Sequence, residues 1–212
     1  MKIHTFEQGS PEWFMGRLGI PTASRFNELL TPKTRKPAAS RERYMAELLA
    51  EWVLNQPIDW GSNSIVERGT DLEDEARRYY SMLQDVDVQK VGFVTRDDGL
   101  VGGSPDGLVG SDGVLEIKNY MAVHHMQALL GTNKPDEHLG QIQGYLYLTD
   151  RAWCDLIFYN PELPKRIIRI DRDQGYLDAF LPVLEDFIGG LEALKVEYAS
   201  DRILRPWMEE LS

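Results

Sequence analysis

The chain has a single cysteine and no long apolar run, and each of these two features excludes whole classes of protein. Cys154 alone cannot form an internal disulfide, and it leaves too few thiolates for an iron–sulfur cluster or a structural zinc site. It lies in the apolar run Trp153 to Tyr159, which predicts a core thiol. No stretch approaches the roughly 20 apolar residues that span a bilayer. Because the first residues, MKIHTFEQGS, also lack the pattern of a signal peptide, we expect a cytoplasmic protein without a membrane segment.

Positive charge is also scarce, which argues against passive binding of nucleic acid. The formal net charge at pH 7 is −11, whereas nucleic-acid-binding proteins usually present a basic surface to the phosphates. Carboxylates clustered around bound cations would weaken this objection, because a divalent metal reverses the local sign of charge. Two basic segments could contact a phosphate backbone or lie on a solvated surface: Lys33, Arg35, Lys36, Arg41 and Arg43, and Lys165, Arg166, Arg169 and Arg172.

The 212 residues, 42% of them hydrophobic, predict one sizeable domain over residues 1–212. Ser10-Pro11-Glu12 indicates an N-cap and a short helix to about Arg17 that Gly19 ends. Thr22 or Ser24 can cap a second helix before Thr31-Pro32. Further helices are predicted over Tyr44 to Leu54, Ser64 to Met82, Met121 to Leu130, His138 to Leu148, and Leu177 to Tyr198, the last interrupted at Pro182 and at Gly189-Gly190.

Strand-like runs are separated by the turn sequences Asp97-Asp98-Gly99 and Ser111-Asp112-Gly113. They predict an antiparallel meander of Val86 to Thr95, Leu100 to Gly103 and Val114 to Tyr120. Paired strands are predicted around Asn160-Pro161, over Trp153 to Tyr159 and Ile167 to Ile170. The predicted fold class is therefore α/β (α+β), with a mixed central sheet flanked by helices.

A pattern of acids and one amine stands out in the middle of the chain, where Pro105-Asp106 precedes Glu116-Ile117-Lys118. In a strand, Glu116 and Lys118 point to one face with Cα atoms about 6.5 Å apart. The Ser111-Asp112-Gly113 turn folds this strand back beside the one that ends at Asp106, so a second carboxylate can reach the same side. The two carboxylates and the Ile117 carbonyl make an all-oxygen set suited to a hard cation, and Mg²⁺ fits best.

This set of groups predicts hydrolysis of a phosphodiester. A bound metal lowers the pKa of a coordinated water and neutralises charge in the transition state, while the Lys118 ammonium positions or helps activate that water. The alternative for a bare Glu-x-Lys triplet is the wet face of an amphipathic strand. Pro105-Asp106 at this spacing upstream favours the nuclease interpretation.

Several separate stretches resemble the PD-(D/E)xK nuclease superfamily, and within it the lambda exonuclease or YqaJ-like viral recombinase group. The matching stretches are Ser104-Pro105-Asp106, Glu116-Ile117-Lys118, Gly9-Ser10-Pro11-Glu12-Trp13 with Arg17, Gly19 and Thr22-Ala23-Ser24, Arg68-Gly69 with Glu73 and Ala76, and Gln141-x-x-x-Tyr145. Their order and spacing are those of the group. The resemblance implies a restriction-endonuclease-like core.

The resemblance also implies a catalytic centre with Mg²⁺ as cofactor, two ions per active site, for which Mn²⁺ can substitute. Its metal ligands would be Asp106, Glu116 and the Ile117 carbonyl, and Lys118 would be the catalytic lysine. Glu73 would assist a metal or its water. An acid on an apolar helical face is costly unless it is paired or metal-bound, so the alternative for Glu73 is a buried partner of Arg68 or Arg77.

Arg17, Ser24 and Ser104 match positions that hold the 5′-phosphate in this group. An arginine offers a bidentate fork for phosphate, and Ser24 near a helix start adds a hydroxyl where free N–H groups favour an anion. Both serines could instead be caps or turn formers. The resemblance also implies that Gln141 is one of the catalytic residues and that Tyr145 is one of the DNA-binding residues. The alternative for Tyr145 is ordinary packing of the helix.

The implied activity is that of a magnesium-dependent 5′-to-3′ exodeoxyribonuclease, in a bacterium or a phage-infected host. It would act on double-stranded ends with a 5′-phosphate, release mononucleotides and leave 3′ single-stranded tails for phage-type recombination. The resemblance further implies a ring-shaped homotrimer and allows a single-strand annealing protein as partner, with Trp207-Met208 as one candidate contact. The alternatives are an endonuclease or junction resolvase of the same chemistry and, motivated by the acidic composition, a non-catalytic DNA mimic.

Overall fold

The computed structural model describes residues 1–58, 63–131 and 135–203, without the side chains of residues 63–71 and 135. Trp207-Met208 and the side chain of Arg68 therefore lie outside the described part. The described helices are α1 (Pro11–Gly16), α2 (Arg41–Leu54), α3 (Asn63–Gln84), α4 (Ala122–Leu129), α5 (Leu139–Thr149) and α6 (Gln174–Glu197), with 3₁₀ helices at Ala23–Glu28, Pro135–His138 and Ala199–Asp201. None of the helices in these ranges combines the length and the apolar character that a membrane crossing needs.

The described strands form two sheets, and the larger one matches the predicted mixed sheet flanked by helices. The strands are β1 (Lys2–His4), β2 (Val88–Gln89), β3 (Phe93–Thr95), β4 (Gly102–Gly103), β5 (Gly107–Val109), β6 (Gly113–Lys118), β7 (Trp153–Phe158) and β8 (Arg166–Asp171). The larger sheet has the order β2-β5-β6-β7-β8, and the smaller one β1-β3-β4. Only β6 and β7 pair in parallel among these strands, and the other pairs are antiparallel.

The predicted antiparallel meander is wrong in its connections. The run Val86 to Thr95 divides into β2 and β3, which belong to different sheets. A Cβ at Gly92, between these strands, would lie 1.7 Å from the Phe6 carbonyl oxygen, so the chain passes too close to another segment to continue as one strand. The strand beside β6 was expected to end at Asp106, but β5 instead begins just after Asp106 and pairs with β6 across the predicted turn.

The first helix begins as its sequence predicts. The Ser10 hydroxyl accepts a hydrogen bond from the Trp13 backbone N–H at 3.2 Å, and Pro11 is the first helical residue. Gly19 follows with a φ of +64°, in the left-handed region that favours glycine. The next predicted helix is a 3₁₀ helix, in which the Arg25–Glu28 ion pair spans the three residues of one turn.

The long last helix is not interrupted, contrary to the sequence prediction. Helix α6 continues through Pro182 and through Gly189-Gly190. Its buried residues Leu177, Phe180, Leu184 and Phe187 pack into the core. This burial outweighs the cost of an interior proline, which is about 3 kcal/mol.

Two apolar clusters cover the two faces of the larger sheet. Helices α5 and α6 pack on the face that includes Val114, whereas α3 packs on the face of Leu115 and Ile117. Cys154 is a buried free thiol in the first cluster, as predicted. Because side chains alternate along a strand, Glu116 shares the face of Val114 and points toward α5.

Candidate active site

Strand β6 carries a buried ion pair at its carboxyl end. The Lys118 ammonium lies 2.7 Å from Oε1 of Glu116, and Glu116 is only 2% exposed. Burial acts to lower the pKa of Lys118, but the charges of Glu116 and Asp106 outweigh it and raise the pKa above its ordinary value. Lys118 is therefore held as a cation on the sheet face below α5.

Asp106 is the residue just before β5, and its side chain reaches the same ion pair. The pairing of Gly107 with Leu115 brings it beside β6, where its carboxylate accepts the Ile117 backbone N–H at 2.6 Å. Asp106 is 7% exposed, and burial, followed by the charges of Glu116 and Glu73, raises the pKa of its carboxyl well above the usual range. The buried Asp106 carboxyl is therefore harder to ionise than an exposed one.

The oxygen atoms of this cluster suit a hard cation. Oε2 of Glu116 is buried without a hydrogen-bond partner in the described residues, which is costly for a carboxylate. The β5–β6 ladder ends at Leu115, and the N–H and C=O of one strand residue point to the same edge, so the Ile117 carbonyl faces the edge where Asp106 lies. Carboxylate and carbonyl oxygens are the ligands that Mg²⁺ prefers.

In the described residues, acidic side chains alone do not provide a full set of metal ligands. Within residues 1–58, 63–131 and 135–203, no group of three or more His, Cys, Asp or Glu side chains is arranged to hold a metal ion. The set that the structure offers is therefore the Asp106 and Glu116 carboxylates together with backbone oxygen.

Glu73 approaches from α3 and interacts with the two acids through charge. It is partly buried, and burial raises its pKa; the cation of Arg77 opposes this shift and Glu116 adds to it. Arg77 directs its hydrogen bonds to Asp74 and to the Asp106 carbonyl. The alternative partner, Arg68, has its side chain outside the described residues.

A hydrogen-bond network from α5 holds the ion pair. The Gln141 amide donates to Oε1 of Glu116 and to the Tyr145 hydroxyl, each at 2.8 Å, while its oxygen accepts from Lys118 at 3.2 Å. The Tyr145 hydroxyl in turn donates to the Ser104 carbonyl at 3.0 Å. Tyr145 is fully buried, which favours a supporting role over direct contact with DNA.

The three residues matched to a 5′-phosphate pocket lie together. Arg17 donates to the hydroxyls of Ser104 at 3.1 Å and Ser24 at 3.5 Å, and also to Thr22 at 3.4 Å. Its guanidinium lies 4.2 Å from the ring centroid of Trp13, whose indole N–H donates to the Ser104 hydroxyl at 2.8 Å. Burial lowers the pKa of Arg17.

Sequence reasoning assigned no phosphate-binding role to Trp13 or Thr22. Trp13 lay within a matched stretch and precedes Arg17 by four residues, a spacing that places both on one side of a helical turn. Both residues line an open cavity of about 580 Å³ whose wall also includes Arg17, Arg25 and Tyr44. The Arg25 guanidinium lies 4.0 Å from the ring centroid of Tyr44, so stacked cations form part of the wall.

Comparison with known proteins identifies this arrangement. Residues 12–152 match the YqaJ-like viral recombinase domain. The chain belongs to this family. The matched range includes Arg17, Ser24, Ser104, Asp106 and the Gln141–Tyr145 pair, as well as Glu73, Glu116 and Lys118.

Solved structures support the same assignment for this YqaJ-like chain. It is 34% identical to an alkaline exonuclease (LHK-Exo) from Laribacter hongkongensis, with a TM-score of 0.77 over 90% of this chain and 96% of the other. A structure of that exonuclease in complex with dAMP gives the same identity and TM-score over 99% of its length. A phage-related exonuclease from Haemophilus somnus shares the fold, at 15% identity and a TM-score of 0.66 over 84% of this chain and 96% of that one. No curated protein matches the chain.

These matches confirm two of the sequence predictions. The resemblance to the lambda exonuclease or YqaJ-like group is correct, and the fold class is a restriction-endonuclease-like mixed sheet flanked by helices. Membership of the YqaJ-like family, together with the exonuclease relative, supports a nuclease role in recombination.

Proposed function

We propose that this chain is a magnesium-dependent 5′-to-3′ exodeoxyribonuclease that acts on double-stranded DNA ends with a 5′-phosphate. It releases mononucleotides and leaves 3′ single-stranded tails for homologous recombination. The observation that carries the proposal is that Ser104 forms hydrogen bonds in two directions, one with its hydroxyl and one with its carbonyl. Its hydroxyl accepts from Arg17 and Trp13, while its carbonyl accepts from Tyr145, and Asp106 is only two residues farther along the chain. A site for a terminal phosphate therefore adjoins a site for cleavage.

The cation belongs to the proposal because the donor atoms fit it. Asp106, the Ile117 carbonyl and Glu116, whose Oε2 has no hydrogen-bond partner among the described residues, would hold Mg²⁺, and Mn²⁺ could replace it. Glu73 would serve a second ion or its water. When bound, the metal supplies Lewis acidity and lowers the pKa of a coordinated water.

The protein's own groups position the reacting atoms. Lys118 is a cation held by Glu116 and Gln141, so it can donate a hydrogen bond to the attacking water or to a phosphate oxygen. Gln141 fixes the orientation of both partners, and Tyr145 fixes Gln141. This preorganised set stabilises charge where it develops during hydrolysis.

The Arg17 pocket explains the proposed polarity. Its three described hydrogen bonds go to hydroxyls, which leave the positive charge of the guanidinium available for an anion. A guanidinium fork binds phosphate in a bidentate geometry. Anchoring the 5′-terminal phosphate there would present the first phosphodiester of that strand to Asp106 and Lys118.

Assembly and partners form the remaining part of the proposal. The family resemblance favours a ring-shaped homotrimer, which would enclose duplex DNA and keep it bound between successive cleavages. A single-strand annealing protein would receive the 3′ tail. Sedimentation of the purified protein measures the first of these, with a monomer at working concentration as the contradicting result.

The experiment that tests the proposed activity compares three substrates in Mg²⁺: linear duplex with 5′-phosphate ends, the same duplex with 5′-hydroxyl ends, and nicked circular DNA. We expect rapid release of mononucleotide from the phosphorylated duplex and slower release from the hydroxyl form, with both duplexes labelled at internal nucleotides of the strand under attack. Equal attack on all three substrates would exclude end anchoring, and no attack on any would contradict the proposed exonuclease. If Arg17→Ala cleaves linear duplex as fast as the wild type, an endonuclease or junction resolvase replaces the exonuclease.

A further inference from the structure

Arg77 is a buried cation whose bonds connect two parts of the proposed metal site. It lies on α3, is 8% exposed, and donates from Nε to the backbone carbonyl of Asp106 at 2.8 Å. A second nitrogen donates to Asp74, which also pairs with Lys90 at 3.0 Å. Burying a guanidinium destabilises the fold unless its N–H groups find hydrogen-bond acceptors. One of the N–H groups of Arg77 finds its acceptor in the main chain of Asp106, a residue of the proposed metal site.

The backbone at Asp106 needs such a restraint. Ser104, Pro105 and Asp106 lie between β4 of the small sheet and β5 of the large one, and ladder pairing with β6 begins only at Gly107. The Ile117 N–H fixes the carboxylate of Asp106, and Arg77 fixes its carbonyl. These two bonds hold opposite ends of one residue.

Glu73 precedes Arg77 by one helical turn on α3. Residues four apart on a helix lie on the same face, so the bond from Arg77 to Asp106 also fixes the α3 face that carries Glu73. The bond from Arg77 therefore ties the helix that carries Glu73 to the main chain of Asp106.

We propose that Arg77 is a positioning residue for the metal site, which sets the separation of Glu73 and Asp106 by locking α3 to the Asp106 carbonyl. The inference rests on the proposed function, because it concerns the same cation. Groups that orient metal ligands typically change metal affinity or activity by about 10- to 100-fold when they are removed.

The test compares Arg77→Gln and Arg77→Lys with Arg78→Gln, which removes an exposed cation from the next position of α3. Three quantities are measured: the Kd for Mn²⁺ by calorimetry without DNA, kcat and KM on 5′-phosphorylated duplex with Mg²⁺, and Tm. For Arg77→Gln we expect a Kd for Mn²⁺ and a kcat that are each worse by about 10-fold or more, with KM for DNA within about 2-fold. Arg77→Lys keeps the charge but lacks the fork, so it should be intermediate, and Arg78→Gln should match the wild type.

A folded Arg77→Gln protein with wild-type Kd for Mn²⁺ and wild-type kcat overturns the proposal, even if its Tm is lower, because a purely structural role changes Tm alone. If Arg77→Gln does not fold, Arg77→Lys decides: weaker Mn²⁺ binding supports the proposal and unchanged binding overturns it. Failure of the proposed function is distinguishable, since the wild type would then neither take up Mn²⁺ nor digest duplex.

Discussion

The hydroxyl of Tyr145 donates a hydrogen bond to the backbone carbonyl of Ser104 across 3.0 Å, and this bond joins the two halves of the proposed active site. On one side, the Ser104 hydroxyl accepts from Arg17. On the other, the Tyr145 hydroxyl accepts from Gln141, which holds Glu116. Burial, followed by the charges of Glu116 and Asp106, raises the pKa of Tyr145 well above its ordinary value, so the hydroxyl keeps its proton and remains a donor.

Replacing this hydroxyl should uncouple end recognition from cleavage. Tyr145→Phe leaves the Ser104 carbonyl and one Gln141 donor without their partner, at a cost of about 1–3 kcal/mol in unfolding free energy. We expect kcat on 5′-phosphorylated duplex to fall about 10-fold, with a smaller preference over 5′-hydroxyl ends. Tyr147→Phe, on the same helix, removes a hydroxyl that accepts from Arg96 and should leave that preference unchanged. A preference equal to the wild type in Tyr145→Phe would show that the bond does not couple the two sites.

Two glutamines of α5 should separate activity from stability. Gln141 bonds Glu116 and Lys118, whereas Gln143, fully buried, donates to the Asp171 carbonyl and accepts from the Asp173 N–H. Gln141→Met should lower kcat by about 10- to 100-fold because it releases the ion pair, and it should also lower Tm because Glu116, Lys118 and Tyr145 each lose a partner. Gln143→Met should lower Tm and leave kcat near the wild-type value at 25 °C. Rates and thermal unfolding of both variants check this, and the reverse pattern would contradict the assigned roles.

Acid should destabilise the protein partly through His138. Burial, followed by the charge of Lys118, lowers the pKa of His138 to about 4, and its ring nitrogen lies 2.8 Å from the Tyr120 hydroxyl. The unfolded chain takes up this proton near pH 6.5 and the folded chain only near pH 4, so the unfolding free energy falls as pH decreases between these values. Urea unfolding from pH 4 to 8 should show a steeper fall for the wild type than for His138→Gln. Parallel curves would mean that His138 titrates normally in the folded protein.

Metal uptake should depend on Asp106. Asp106→Asn keeps an oxygen that can accept the Ile117 N–H, so the fold is retained while one negative ligand is lost. Calorimetric titration with Mn²⁺ should show binding to the wild type and none to the variant. An acidic DNA mimic would give the same weak titration for both proteins, because its carboxylates are spread over the surface.

Local patterns were enough to predict the elements around the site. Three local features follow from the sequence pattern and chain geometry alone, and the structure contains all of them. They are the alternation of side chains between the two faces of β6, the turn at Ser111-Asp112-Gly113 and the helix cap at Ser10. The pattern of acids and amine predicted that Asp106 and Lys118 would meet near Glu116. What these residues do is still a prediction.

Long-range packing determined the rest. Helix α6 continues through Pro182 because its buried face outweighs the broken backbone bond, and Gly92 divides a predicted strand because Phe6 lies against it. Arg77 was weighed only as a partner of Glu73, whereas its Nε bond reaches the carbonyl of Asp106, 29 positions away. Such contacts leave no periodic signal in the sequence.

The most direct test of the account is the rate at which Lys118→Ala releases labelled mononucleotide from 5′-phosphorylated duplex in Mg²⁺. Lys118 is the cation held at the proposed cleavage site by Glu116 and Gln141, and neither of these two partners carries a positive charge that could replace it. We expect the rate to fall by about 1,000-fold or more in a protein that still folds and still binds duplex, a loss typical of a removed transition-state contact. Degradation at the wild-type rate would contradict the proposed site.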